Sequence, residues 1–127
     1  MEQILDILTV FYKYKKVYEK RCQVIMKEYD LRLADIEILY YVSQAGSKNM
    51  ARDIVDLGMS KANVSKSVER IRENGYVSLH EDKEDRRCVR IEVTEAAVPI
   101  LEEVRQIREE IGKSLSEAAQ NAVAIPR

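Results

Sequence analysis

Residues 59–94, MSKANVSKSVERIRENGYVSLHEDKEDRRCVRIEVT, change their hydrophobic period part-way along. Val64, Val68 and Ile71 recur at steps of four and three, the spacing of one helical face, and predict a helix from about Lys61 to Asn74. Ser60 ahead of it is a cap candidate and Gly75 ends it. Beyond Gly75 the period falls to two. Tyr76 to His80 reads as one strand and Val89 to Val93 as a second, and the wholly charged run Glu81 to Arg87 between them suits a solvated hairpin tip.

On the N-terminal side, Leu33 to Val42 predicts a helix with Leu33, Ile36, Leu39 and Tyr40 on one face, ending near Gly46. Asn49 can cap a short helix Met50 to Leu57, with Ile54 and Leu57 inward and Gly58 closing it. On the C-terminal side, Thr94 is a cap candidate for a long helix whose apolar face holds Val98, Leu101, Val104, Ile107, Ile111 and Leu115. Pro99 predicts a kink there, or a helix start nearer Val98, because it removes a backbone donor. Residues 3–29 contain no Gly or Pro, and Ile4, Leu8, Phe11, Tyr18, Cys22, Ile25 and Tyr29 form an a/d-like seam. So small a domain cannot bury all of that seam, so part of it is expected to meet a second chain. The fold read from these patterns is mainly α with a small β-hairpin wing, a single domain over 1–127. Its lobe 33–93 is flanked by dimerisation helices 3–29 and 98–120.

Composition bounds the function. A chain of 127 residues is too short for a barrel enzyme, and 46% hydrophobic with 34% charged residues excludes wholesale disorder. Cys22 and Cys88 have neither CxxC spacing nor the density of a disulfide scaffold, so a reducing cytoplasm is the simplest reading. No window approaches a membrane span, and Met1, Glu2 and Gln3 lack a signal peptide's basic start. His80 is the single histidine, with no nucleophile elbow, P-loop or HExxH motif beside it and no metal-ligand spacing. The reading therefore expects no catalytic residues, no metal and no cofactor.

The net charge of -1 at first argues against a partner made of phosphates. The average hides a local surplus. Residues 60–90 carry eight Lys and Arg against six acids, a balance of +2, while residues 91–127 carry four against seven. On the 61–74 helix the side facing away from Val64 and Val68 is expected to hold Ser60, Lys61, Asn63, Ser65, Lys66, Ser67 and Arg70, with no acid before Glu69. Hydroxyls, amides and long cations are what a helix needs to meet base edges and phosphates in a major groove. Taken alone this face also fits an ordinary solvated helix. The short helix and tight turn before it decide for helix-turn-helix geometry. At the hairpin tip, Arg86 and Arg87 can reach a minor groove, and Asp85 can hold one guanidinium in place. Together the two elements read as a winged helix-turn-helix on double-stranded DNA.

The stretch Leu33 to Leu101 resembles the MarR family of bacterial transcription regulators. The residues that carry the resemblance are Met59-Ser60-Lys61 to Val64-Ser65-Lys66, then Asn74-Gly75-Tyr76-Val77, Glu84-Asp85-Arg86-Arg87 and Thr94-Glu95. It implies a homodimer on a pseudo-palindromic operator, usually a repressor released by a small ligand or by oxidation. It also implies that Asn63, Ser65 and Lys66 face bases or phosphates and that Arg87 is the wing arginine, oriented by Asp85. The chain departs from the family pattern in three places. Ala34 replaces a usual Thr or Ser, leaving that cap to Asp35, Glu37 or Asp30; Ala96-Ala97-Val98-Pro99 stands where a Gly is common; and the C-terminus is about a helix short.

In the family, aromatic acids can occupy the crevice between the first two helices and the lobe. Tyr12, Tyr18 and Tyr40, from the tyrosine cluster that also holds Tyr14, Tyr29 and Tyr41, could line it for a small aromatic ligand, or could simply pack. Cys22 sits on the first helix, but the family's peroxide-sensing cysteine lies near that helix's start, so packing at a dimer interface is favoured. Cys88, beside the wing, is expected to be exposed enough to oxidise. The competing reading is a helical dimer that has kept the fold, lost DNA affinity and acts as a protein-interaction or anti-repressor module.

Overall fold

A computed structural model describes residues 5–45 and 59–125. Among them are four α-helices and one antiparallel hairpin: α1 (Ile7–Tyr29), α2 (Leu33–Ala45), α3 (Lys61–Glu73), β1 (Val77–Glu81), β2 (Val89–Val93) and α4 (Val98–Gln120). The helix expected over Met50–Leu57, with Gly46, Asn49 and Gly58 at its ends, lies outside the described residues.

The central element is α2. No residue from Leu33 to Ser43 is exposed, because Ile36, Ile38, Leu39 and Val42 are buried around more than one face. A helix apolar on all sides belongs inside a domain, whereas one face alone was expected here. Its N-terminus is closed by Asp35, whose Oδ2 accepts the Arg32 N–H at 2.9 Å, half of a capping box. Of the three caps open to replace a hydroxyl at Ala34, the chain uses Asp35.

One continuous core joins α2 to the other elements: Cys22 and Ile25 from α1, Val64, Val68 and Ile71 from α3, Val77 and Ile91 from the hairpin, and Ile100, Val104 and Ile107 from α4. Helix α1 lies along α4, and the two are joined at their outer ends by a single parallel bridge. There Ile7 N–H donates to the Val123 carbonyl at 3.1 Å and Val123 N–H to the Leu5 carbonyl at 3.2 Å. The first helix starts at Ile7, later than its apolar seam suggests, because the Asp6 carboxylate accepts the Thr9 N–H at 2.9 Å and its hydroxyl at 3.1 Å. Leu8 and Phe11 of the expected seam remain 61% and 53% exposed.

The wing is rigidly tied to α3. Asn74, Gly75 and Tyr76 form a Schellman motif, with Tyr76 N–H on the Ile71 carbonyl, Gly75 N–H on the Arg72 carbonyl and Gly75 at φ 81°. Val77 then pairs with Val93 and Glu81 with Val89 across the hairpin. Thr94 does not cap the last helix. Its hydroxyl donates to the Gly75 carbonyl at 2.5 Å and its N–H to the Tyr76 carbonyl at 3.0 Å, so the strand leaving the wing is fastened to the turn that enters it. A 3-10 turn over Glu95–Ala97 follows, and α4 begins at Val98 with Pro99 in its first turn, where a missing donor goes unnoticed. Val98, expected inward, is exposed, and Ile100 takes its place in the core.

Two stability predictions follow from this packing. A Cβ at Gly75 would meet nothing within 4 Å, so Gly75→Ala isolates the left-handed backbone penalty. Urea unfolding should show a loss of about 1 kcal/mol with an unchanged slope. On α4, burial and then the nearby Glu28 push the Glu103 carboxyl up, and its Oε2 is buried without a hydrogen-bond partner. A raised folded-state pKa means that Glu103 opposes folding at neutral pH and ceases to do so once it is protonated. Glu103→Gln should therefore raise the melting temperature at pH 7, with the gain disappearing below the ordinary glutamate range of about 4.3.

Candidate nucleic-acid interface

Helix α3 opens on Ser60, whose Oγ accepts the Asn63 N–H at 3.2 Å. Its first turn has no acidic residue, so the positive end of the helix dipole is not offset there. Val64, Ser67, Val68 and Ile71 face the core. At 100° per residue the opposite side carries Ala62, Ser65, Lys66 and Glu69, all exposed, with Lys61 and Asn63 exposed on its flanks. Ser67, expected outside, is buried, on the same side of the helix as Val64, Val68 and Ile71. Ala62 stands on the outer face and was missed because an alanine carries no charge or hydrogen-bonding group to mark it.

Arg70 is the main correction to the expected contact set. Its Nη1 donates to Asp35 Oδ1 at 2.7 Å, across the α2–α3 contact, and Asp35 has no exposed side-chain surface. The residue turns inward because a buried carboxylate needs a cation more than the solvated face does. Arg72 is taken up by Glu69. Of the cations on α3, Lys61 and Lys66 point outward and form no ion pair among the described residues.

At the wing tip the carboxylate of Asp85 organises its surroundings. Its Oδ1 accepts Arg87 N–H at 3.1 Å and Arg87 Nε–H at 3.2 Å, and its Oδ2 accepts the Cys88 S–H at 3.5 Å. The Arg87 side chain is 91% exposed, so this pair adds little to stability, and its effect is to aim the guanidinium. Arg86 is exposed beside it. Cys88 is 8% exposed, against the expectation of an oxidisable thiol, because it closes the base of the tip.

A second feature lies between α1, α2 and α4. A cavity of about 600 Å³ is lined by Phe11, Tyr14, Tyr18, Leu33, Glu37 and Arg108, among others. Arg108 lies over the rings of Tyr40 at 3.9 Å and Tyr18 at 4.8 Å, donates from Nε to the Tyr18 hydroxyl at 3.2 Å, and pairs through Nη2 with Glu37. Burial, reinforced by Glu37, pushes the Tyr18 hydroxyl well above the usual phenol range, so it stays protonated. Of the three tyrosines expected here, Tyr18 lines the cavity, Tyr40 lies under Arg108 without lining it, and Tyr12 is exposed elsewhere, beneath Lys16.

The family model for transcriptional regulator SarA/Rot matches residues 20–104, from the middle of α1 into α4. The chain belongs to the SarA/Rot family of transcriptional regulators. It is also 22% identical over 101 residues to the uncharacterized HTH-type transcriptional regulator YhbI of Bacillus subtilis, a match that takes in 80% of this chain and 64% of that protein's length. The fold is shared with apo MarR from E. coli (TM-score 0.72, 14% identity, 91% of this chain and 86% of that one). It is shared too with an S. aureus MepR mutant bound to an oligodeoxyribonucleotide (TM-score 0.64, 16% identity, 86% and 78%). The winged, mainly helical fold and the MarR-like resemblance read from the sequence hold. Among the described residues no helix is long and apolar enough to cross a membrane.

Both thiols of this SarA/Rot-family chain are enclosed, and burial pushes the Cys22 thiol up. Cys22 packs inside the core of the chain, not on an outward seam. Titration of the native chain with a thiol reagent should therefore label neither cysteine faster than the fold opens. Fast stoichiometric labelling at neutral pH would reinstate a thiol-sensing role.

Proposed function

We propose that this chain is a sequence-specific DNA-binding regulator, a homodimeric repressor of a pseudo-palindromic operator that is released by a small ligand and works in the cytoplasm. The observation that carries the DNA reading is a pair of exposed groups on one lobe. Lys66, with Ser65 and Ala62, stands on the outward face of α3, and Arg87 projects from the wing, aimed by Asp85. Lysine and serine suit major-groove edges and phosphates, alanine suits a thymine methyl, and a thin hairpin arginine suits a minor groove. The oligonucleotide bound by MepR on the same fold supports this reading.

Assembly as a dimer is supported by the apolar surface left at the joined chain ends. Ile7, Leu8, Phe11, Tyr12, Val123 and Ile125 are all exposed there, and a second copy would cover them. A two-fold pair of lobes then reads half-sites about one DNA turn apart. The cavity beside Tyr18 and Arg108 supports release by a ligand, because it lies between the helices of the dimerising end and the start of α2. Its arginine is already paired with Glu37, so an aromatic acid has to compete with that carboxylate for it.

A second reading rests on the two arginines of α3 that are tied up within the lobe, Arg70 and Arg72, which lower the charge available to phosphates. A chain of that kind would use the same fold to bind a protein partner. Fluorescence anisotropy against the gene's own upstream DNA and a random duplex, over a range of salt, separates the two. The regulator reading expects tighter binding to upstream DNA, weakening linearly in log salt. Lys66→Ala and Arg87→Ala should each weaken it by about tenfold or more, and Lys66→Ala should lower the salt slope by about two per dimer. Equal affinity for both duplexes at every salt concentration, with a co-purifying partner protein, establishes the second reading instead.

A further inference from the structure

Asp35 is the one charged residue among the described side chains that is buried outright. It stands in the first turn of α2, where Oδ2 accepts the Arg32 N–H that opens the helix and Oδ1 accepts Arg70 Nη1 from α3. A single carboxylate thus fastens the start of the central helix to the outward-reading helix. Arg70 lies one turn beyond Lys66 and next to Ile71 in the core, and its side chain is 26% exposed. The apolar contacts of Val64, Val68 and Ile71 are non-directional and tolerate some rotation of α3 about its axis. The ion pair is directional, with each oxygen of Asp35 committed to a donor from a different element.

Building on the regulator reading above, we propose that Asp35, acting through Arg70, is a positioning residue that fixes the rotation of α3 and so sets which side chains meet the bases. Arg70 supplies no charge to phosphate. Specific binding, which needs Ala62, Ser65 and Lys66 in register, depends on the clamp. Non-specific binding, which needs cations near phosphates in any register, does not.

The test compares the wild-type chain with Asp35→Asn, Arg70→Gln and the double variant, each first checked by circular dichroism and thermal unfolding. The duplex is one selected from a random library by the wild-type chain. The expected result for Asp35→Asn is a fall of tenfold or more in the ratio of selected to random affinity, at an unchanged salt slope. Arg70→Gln should do the same, and the double variant should be no worse than the poorer single one. Amide exchange should quicken in α3 of both single variants while α4 stays protected.

A folded Asp35→Asn variant with wild-type exchange in α3 overturns the clamp, whether or not the chain binds DNA. A salt slope that falls by one or more in Arg70→Gln returns Arg70 to the phosphate contacts and overturns it as well. If Asp35→Asn does not fold, Arg70→Gln with the same two readouts decides. Failure of the wild-type chain to enrich any duplex overturns the regulator reading, and the exchange data still judge the clamp.

Discussion

A carboxylate with no access to water must be met by donors within the protein, and in this chain that requirement falls at the junction of α2 and α3. Asp35 meets it with one backbone N–H and one guanidinium. Removing one partner of such a pair typically costs about 3–5 kcal/mol, because the other is left buried and unmatched. That is a large share of a small domain's stability of about 5–15 kcal/mol. The junction is therefore held in one arrangement, and the rest of the lobe is built outward from it. The ion pair also removes Arg70 from the outer surface. Among the described residues, the exposed cations of the lobe are then Lys61, Lys66 and the Glu69-paired Arg72 on α3, and Lys83, Arg86 and Arg87 on the wing.

The same economy of contacts governs the wing. A two-stranded hairpin is barely stable alone, and here its two ends close on a single turn. Gly75 adopts a left-handed conformation that ends α3, and its carbonyl receives the Thr94 hydroxyl from the far strand. Ile91 and Val77 insert the base of the hairpin into the core. Any rotation of α3 must therefore carry the wing with it. The distance between Lys66 and Arg87 becomes a property of one rigid body, and Asp85 adds a local constraint at the tip, where nothing else would fix an arginine 91% exposed.

Much of this was legible in the sequence because periodicity reports burial directly. Val64, Val68 and Ile71 could face only the core, and the change to period two after Gly75 could only mark a strand. Asp35 was among the caps open for α2, but what escaped were the tertiary partners of polar residues that do an interior job. Arg70 and Thr94 were read outward or as a cap because charge and hydroxyl correlate with solvent, while their actual partners lie far away in sequence; Ser67 was read outward for the same reason, although it is buried. Asp35 lies 35 residues before Arg70, and Thr94 lies 19 beyond Gly75. Cys88 was misjudged for the same reason, since the seven charged residues before it suggest exposure but its thiol closes against Asp85. The tyrosines show the opposite limit. Clustering in sequence brought Tyr18 and Tyr40 to the same arginine but left Tyr12 outside, because positions 12 and 18 are six apart and fall on different faces of α1.

The first turn of α2 meets both the cavity and α3. Leu33, Ala34 and Glu37 line the cavity, and Asp35, between them in sequence, points to α3. Successive residues of a helix are fixed relative to one another by its backbone hydrogen bonds, so Ala34 cannot shift on the cavity side without moving the Asp35 carboxylate on the other. Hydrogen bonds between charged partners weaken steeply once their geometry is lost, and a movement of a fraction of an ångström at Arg70 Nη1 is therefore felt. Apolar packing between α2 and α3 alone would absorb that movement, because it has no preferred direction. The buried ion pair, unlike the core around it, ties the turn that lines the space beside Tyr18 to α3 through one directional contact.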